Sequence, residues 1–308
     1  MKAESESIFD ICRKVYQEIL ETGKDKDNDK DHDHDNGQTI VLSTGFKDID
    51  RKISGFHPGE LIILGARPCM GKTAFALNIL EHVCIVQKKK ALVFTMQENK
   101  EAFVKRLIAL HSGIDLQPAK SSKLTDAQYK RLGDSAECIG SSGLTVYDLQ
   151  LTDLDTIRSV CFRKKAEEGL DLVIVDNLQL LKDFNICYNG HRMVTRDLKT
   201  LAEELGCPIL AMSQISRKVE GRDDKRPRPV DLLGFKKVKH DADLVMLLYR
   251  DNYYHYQPDS ANWMEDVEIG IANGRNDDYA LVWLEVDKRT GRFYDSYIHK
   301  EMGTIDPV

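Results

Sequence analysis

The apolar run Leu61-Ile62-Ile63-Leu64 delivers the chain directly into Gly65-Ala66-Arg67-Pro68-Cys69-Met70-Gly71-Lys72-Thr73, and this junction constrains the fold more than any other part of the sequence. A GxxxxGK[ST] pattern between a strand and a helix is a phosphate-binding loop, with a physical reason at each fixed position. Gly65 and Gly71 allow the backbone to turn successive N–H groups toward a triphosphate. The helix that follows, Ala74-Phe75-Ala76-Leu77-Asn78-Ile79-Leu80, adds the positive end of its dipole. Lys72 is placed to neutralise the β- and γ-phosphates, and Thr73 to put its hydroxyl on Mg²⁺. The whole loop, Gly65 to Thr73, is therefore expected to line a nucleoside triphosphate.

The rest of the chain suits an α/β domain built around that loop. From about Thr44, strands are expected near Glu60–Leu64, Ala91–Met96, Asp171–Asp176, Pro208–Ser213 and Asp243–Tyr249. Helices are expected between them near Lys72–Val86, Lys100–His111, Leu154–Glu168 and Met193–Leu205. This alternation predicts a mainly parallel sheet covered by helices on both faces. Val267–Ala272, Tyr279–Val286 and Arg292–Tyr297 alternate with period two and predict a closing antiparallel edge.

Ahead of this domain, residues 1–23 form an amphipathic segment in which Ile8, Ile11, Cys12, Val15 and Ile19 recur at helical spacing. That helix has no obvious core of its own to cover and needs a partner. Residues 24–43 follow as an acidic flexible linker, and 44–308 as the main domain. The linker's alternating Asp residues do not make an EF-hand, because Lys30 and Asn36 stand where Gly and Glu are required. No apolar run approaches the ~20 residues needed to cross a bilayer, and the N-terminus lacks signal-peptide order, so a cytoplasmic location and no membrane partner are expected. The seven cysteines form no CxxC pair, which argues against a zinc site or a disulfide framework. Cys69 differs from the others in lying on the phosphate loop, within reach of oxidants.

The formal charge of −6 hides an uneven distribution. Residues 24–37 carry six Asp against three Lys, whereas residues 217–240 carry nine Lys or Arg against four acids. The second segment is basic enough to meet phosphates, although a solvated loop has the same composition.

Leu172-Val173-Ile174-Val175-Asp176 is an apolar strand ending in an acid, the arrangement needed to hold the Mg²⁺ shell opposite Thr73. Ile209-Leu210-Ala211-Met212 ends in Ser213-Gln214, and Gln214 is a candidate sensor of the γ-phosphate.

Four further motifs make a resemblance specific. They are Thr44-Gly45-Phe46-Lys47-Asp48-Ile49-Asp50, Asp176-Asn177-Leu178-Gln179-Leu180, Ser213-Gln214-Ile215-Ser216-Arg217, and the run from Asp241 to Asp251. In that order, over about residues 40 to 298, the chain resembles the replicative DnaB-type DNA helicase. The resemblance implies a RecA-like domain that hydrolyses ATP with Mg²⁺ between the subunits of a six-membered ring and draws single-stranded DNA through its centre. It also implies that the helix at Ile8–Leu20 docks on a neighbouring subunit, and that a replication initiator or loader is a partner. The residues before Thr44 leave no room for the helical N-terminal domain of such helicases, so primase contact is not expected from the resemblance alone.

By the same resemblance Arg275 is the arginine finger, with Asn273 replacing a second cation, and Arg250 lies near the nucleotide base. The water-activating glutamate falls on Gln97, a neutral amide and a poor proton acceptor, with Glu98 next to it as the expected substitute. Where the family has an Arg-Glu-Ser-Gly run, this chain has Leu233-Gly234-Phe235-Lys236, followed by Lys237 and Lys239. Together with Arg217 and Arg222, these lysines are the expected DNA contacts, and Phe235 is placed to stack on a base or pack. A slowly hydrolysing DnaB-like regulator that binds ATP and DNA without unwinding is the alternative kept open by Gln97, Asn273 and Leu233. A recombinase-type filament former is disfavoured by the Asp241–Asp251 motif.

Overall fold

The structure is a computed structural model, and it describes residues 7–21, 41–116, 124–149, 152–182, 184, 194–233, 238, 240–255, 263–273 and 279–296. Its strands are β1 (Leu61–Ala66), β2 (Ala91–Thr95), β3 (Leu144–Asp148), β4 (Leu172–Asp176), β5 (Ile209–Gln214), β6 (Leu244–Tyr249), β7 (Met264–Asn273), β8 (Tyr279–Asp287) and β9 (Arg292–Asp295). They form one sheet in the order β3-β2-β4-β5-β1-β6-β7-β8-β9. The ladders from β3 to β6 are parallel, and β7 to β9 close the sheet with antiparallel pairing.

The helices are α1 (Ile8–Glu21), α2 (Lys47–Ile53), α3 (Lys72–Glu81), α4 (Lys100–Ser112), α5 (Asp126–Gly140), α6 (Leu154–Glu167) and α7 (Val194–Leu205). A π-helical turn, His82–Val86, extends α3. Side chains on β1 alternate between two cores: Ile62 and Leu64 join the one with α1, α3, α4 and α5, while Leu61 and Ile63 join the one with α6 and α7. Coverage on both faces explains why the parallel strands are continuously apolar, each buried Leu or Ile contributing ~1.5–3 kcal/mol. The expected α/β architecture and antiparallel edge are therefore present.

Three elements, α2, α5 and β3, are absent from the sequence expectations. Helix α5 begins with a capping box in which the Thr125 side chain accepts from the Gln128 backbone and Gln128 reaches back. Its buried Tyr129, Leu132, Ala136 and Ile139 have helical spacing, so both signals were available. Strand β3 is as long as β2 and β4, but Thr145 interrupts its apolar run, so it lacks the continuous signal that those strands gave.

The partner that the amphipathic N-terminal segment requires lies in the same chain. Ile8, Ile11, Cys12 and Val15 are buried in the core against α5 and α4, which corrects the expectation of a helix without a core of its own. Gly133 and Gly140, two turns apart on α5, permit the close approach. A Cβ on Gly133 would stand 2.6 Å from the Tyr16 hydroxyl, and one on Gly140 would stand 3.1 Å from the Phe9 Cα. Residues 22–40, with most of the expected 24–43 linker, lie outside the described residues, and Leu42, within the expected linker, bridges to Phe56.

Candidate functional site

The loop leaves β1 at the middle of the sheet, where parallel strands β5 and β6 flank it and β4 lies beyond β5. Gly65 is a glycine for a reason other than the expected one. It is still in β1, and a Cβ there would stand 2.6 Å from Leu232 Cδ2 and 2.9 Å from Leu247 Cδ2. Gly71 does take the left-handed conformation, at φ +97°, and caps α3. Cys69 adopts φ +64° and is exposed, so its side chain stands off the loop while Met70 is buried beneath it.

Parallel pairing sets the C-terminal end of β4 beside that of β2, with Thr95 opposite Asp176. Thr73 Oγ1 donates to Asp176 Oδ2 at 2.9 Å, which joins the expected metal-binding pair across 103 residues. Asp176 is 1% exposed, and its Oδ1 is buried without a hydrogen-bond partner among the described residues. Burial pushes this carboxyl above its ordinary range, against the Thr73 hydrogen bond and the charges of Lys72 and Arg106. Lys72 Nζ makes a long bond of 3.3 Å to the Ser213 carbonyl, and burial pushes its ammonium down against the pull of Asp176. A buried cation and a buried anion, each short of partners among the described residues, suit a triphosphate with its metal.

The end of β5 is fixed by a side chain absent from the expected site. Gln179 Nε2 donates to Ser213 Oγ at 2.9 Å, and Gln179 Oε1 accepts from the Gln214 backbone N–H at 3.0 Å. This amide, two residues past Asn177 in a quoted motif, orients the strand end that carries Gln214. Its partners are more than thirty residues away, so spacing alone gave no signal.

At the end of β2 the structure separates the two adjacent candidates. Gln97 is exposed, whereas Glu98 is half-buried and accepts from Arg106 Nη1 at 2.8 Å. Burial raises the Glu98 carboxyl, Arg106 opposes this, and the nearby charge of Asp176 adds to the rise. Arg106 is a further residue that sequence reasoning missed. It lies two turns along from Glu98 in α4, and the contact is visible only once that helix is placed.

Arg250 lies against the phosphate loop: Nη1 donates to the Cys69 carbonyl at 3.4 Å, and Nη2 pairs with Glu265. Arg67 turns the other way, donating to the Ile215 carbonyl at 2.9 Å and to Glu220 Oε1 at 2.7 Å.

Much of the charge in the basic segment is paired within the chain. Arg222 makes two bonds to Asp231, at 2.8 and 3.2 Å, and Arg226 makes two to buried Glu268, at 2.6 and 2.7 Å. Arg222 is thus built into its own loop, whereas Arg217 is exposed. Lys236, Lys237, Lys239 and Arg275, the Asn273 side chain and Phe235 lie outside the described residues. No helix among the described residues is long and apolar enough to cross a membrane.

A central parallel strand ending in this loop, with a carboxylate from another parallel strand on the loop's threonine, defines a RecA-like P-loop nucleotide-binding domain. The chain belongs to the DnaB-like helicase C terminal domain family, whose model matches residues 41–295. It is 35% identical over 262 residues to the replicative DNA helicase DnaB of Geobacillus stearothermophilus, covering 84% of this chain and 57% of that one. It is 34% identical over 261 residues to the replicative DNA helicase DnaC of Bacillus subtilis, covering 83% and 57%. The chain thus spans just over half the length of these relatives. A DnaB-like replicative helicase solved for its interactions with primase superposes with a TM-score of 0.72 at 30% identity, covering 92% of this chain and 66% of that one. A separately solved ATPase domain gives 0.74 at 30% identity, covering 95% and 100%. The RadB recombinase, at 15% identity and a TM-score of 0.52, shares the fold.

Proposed function

We propose that this chain is the ATP-hydrolysing motor of a replicative DNA helicase, working on single-stranded DNA as a ring of six. The observation that carries the reading is the Thr73–Asp176 hydrogen bond of 2.9 Å beside buried Lys72, with one Asp176 oxygen unpaired among the described residues. Mg²⁺, held by Thr73 and Asp176, would supply charge neutralisation on the phosphates. The nine loop residues from Gly65 to Thr73 wrap the triphosphate, with Lys72 turning from the Ser213 carbonyl to the β- and γ-oxygens. Gln214, on the strand end fixed by Gln179, senses the γ-phosphate. Arg250 borders the base side of the loop, and Arg275 serves a neighbouring subunit's site.

Glu98 acts as the base toward the attacking water. Its carboxyl is turned inward and held by Arg106, and a raised carboxyl accepts a proton better than an ordinary one. Arg217 with Lys236, Lys237 and Lys239 contacts the DNA backbone, and Arg222 shapes that loop through Asp231.

A second reading, a DnaB-like ATP- and DNA-binding regulator that hydrolyses slowly, is favoured by one specific residue, the exposed amide of Gln97. Strand displacement on a forked substrate with ATP, run beside Lys72→Ala, separates the two. The motor reading expects unwinding by the parent and none by the variant. ATP and DNA binding without unwinding by the parent would overturn it in favour of the regulator.

A further inference from the structure

The third residue of the phosphate loop directs its side chain at a different part of the chain. Arg67 Nε donates to Glu220 Oε1 at 2.7 Å and Nη1 to the Ile215 carbonyl at 2.9 Å, while the neighbouring Ala66 carbonyl accepts from the Ile215 N–H at 3.2 Å. Two successive residues at the start of the loop therefore hold both backbone groups of Ile215 and the carboxylate of Glu220. The planar fork of a guanidinium suits this task, because it engages a carbonyl and a carboxylate at once. Lys72 is placed differently, with its one 3.3 Å bond to the Ser213 carbonyl, which a phosphate can replace. The bonds of Arg67 are shorter, and they are already made to the 215–220 stretch.

Glu220 belongs to the one-turn helix Arg217–Gly221, in which Val219 is buried and Arg217, three residues from Glu220, is exposed. The segment that follows is tied into one piece. The Ser216 N–H donates to the Asp231 carbonyl at 2.8 Å, Arg222 pairs with the Asp231 carboxylate, and Lys225 Nζ donates to the carbonyls of Arg222 and Glu220 at 2.9 and 3.3 Å. A displacement of Glu220 is thereby delivered to the whole 216–231 loop instead of being absorbed by one side chain. The Arg226 tie to Glu268 reaches β7, not the phosphate loop. Tyr254, past the end of β6, donates its hydroxyl to the same Glu220 Oε1 at 3.2 Å.

We propose that the Arg67 side chain is a positioning group and not a phosphate ligand: through Glu220 it carries the filling of the phosphate loop to the turn that bears Arg217. The backbone of Arg67 stays part of the nucleotide loop, and its guanidinium is the strut between that loop and the basic segment. The inference rests on the nucleotide and DNA reading given above, and it adds the contact through which the two sites act on each other. A triphosphate that shifts the loop moves Arg67, and Arg67 moves Glu220 and the Arg217 turn with it.

The test titrates fluorescent oligothymidylate onto the full chain with and without a saturating, non-hydrolysable ATP analogue and Mg²⁺. In the parent the analogue should change oligothymidylate affinity roughly ten-fold, and by linkage oligothymidylate should change analogue affinity by the same factor. Glu220 is exposed, so Glu220→Ala should keep the fold and leave the affinity for each ligand alone within about two-fold, while the coupling falls to about two-fold or less. Arg67→Ala should lower the coupling as far, and the double variant no further, because the two residues make one contact. Tyr254→Phe removes the other bond to Glu220 and should retain most of the coupling. Coupling absent from the parent, or undiminished in Glu220→Ala, would overturn the proposal. Loss in Tyr254→Phe as complete as in Glu220→Ala would also overturn it, by routing the linkage through the end of β6. A parent that binds the analogue but no oligothymidylate would overturn the DNA reading itself. That outcome is distinct from failure of the strut, in which both ligands bind and only their coupling departs from expectation.

Discussion

The phosphate loop and the 217–231 segment are both rich in charge, and they hold it differently. Around the loop, Lys72 has one 3.3 Å bond to a carbonyl and Asp176 has an oxygen with no partner among the described residues, although both side chains are buried. In the 217–231 segment, Arg222 and Arg226 each close on a carboxylate of their own through two hydrogen bonds. Buried charge without partners is costly to the folded state, and a fold tolerates it where a ligand supplies the missing contacts. Paired charge of the second kind positions backbone. A surplus of lysine and arginine in sequence therefore does not locate a phosphate site, whereas incomplete pairing in the fold does.

The strongest challenge to this contrast is Asp176→Asn. It keeps the Thr73 hydrogen bond and removes the buried charge, so hydrolysis should fall by ~10³-fold. The ligand-free variant should nonetheless unfold at a higher temperature than the parent at neutral pH, by the equivalent of ~1 kcal/mol. The sign follows from the direction of the shift: a carboxyl raised by burial destabilises the fold at every pH where it is ionised. A calorimetric midpoint below the parent's would show that the charge is satisfied in the free protein.

Next in size is Glu98→Ala, expected to lower steady-state ATP turnover by ~10²-fold, with Gln97→Ala changing it little. Because Glu98 must be ionised to act, turnover should fall with decreasing pH above the usual carboxylate range. Arg106→Ala removes an interaction that lowers this group, so that acid limb should move to still higher pH. A pH–rate profile unmoved by Arg106→Ala would argue that another group accepts the proton.

Arg226→Ala probes the paired region. It strips buried Glu268 of both guanidinium bonds, but Arg226 is itself 49% exposed, so water screens part of the loss. Stability should drop by ~2 kcal/mol in urea unfolding, with nucleotide affinity preserved. The smallest effect is expected of Arg217→Ala. Stability should change by no more than ~0.5 kcal/mol, while the salt dependence of single-stranded DNA binding should lose about one unit of slope. A large stability loss in this variant would move Arg217 into the class of Arg222 and Arg226.

The parts of the site that were legible in sequence are those carried by short contiguous patterns. The strand, loop and helix around Gly65 to Thr73 read as one unit, and Asp176 read as a strand-end acid, because parallel strands deliver their C-terminal ends to one edge. The chemistry favoured Glu98 over the amide of Gln97, but which of the two turns inward was not legible. Strand β2 ends at Thr95, and once period-two alternation stops, the direction of the next side chains depends on how the chain turns into α4. The pairings of Arg67 with Glu220 and of Arg226 with Glu268 join residues 153 and 42 apart, and no local pattern encodes them. The amphipathic α1 was read as a helix without a home because its cover, α5, had itself been missed.

Hydrophobic periodicity and the phosphate-loop spacing, both properties of adjacent residues, determined that this chain forms an α/β domain around a phosphate-binding loop, and the ordered motifs from Thr44 to Asp251 carried its resemblance to the DnaB-like family. Tertiary structure alone decided which charges remain open to a ligand and which are closed by partners. It also decided which of two neighbouring residues turns inward and that His111 meets Glu81. The physical reason is that burial and pairing are properties of neighbours in space, and in this sheet those neighbours arrive from distant stretches of chain.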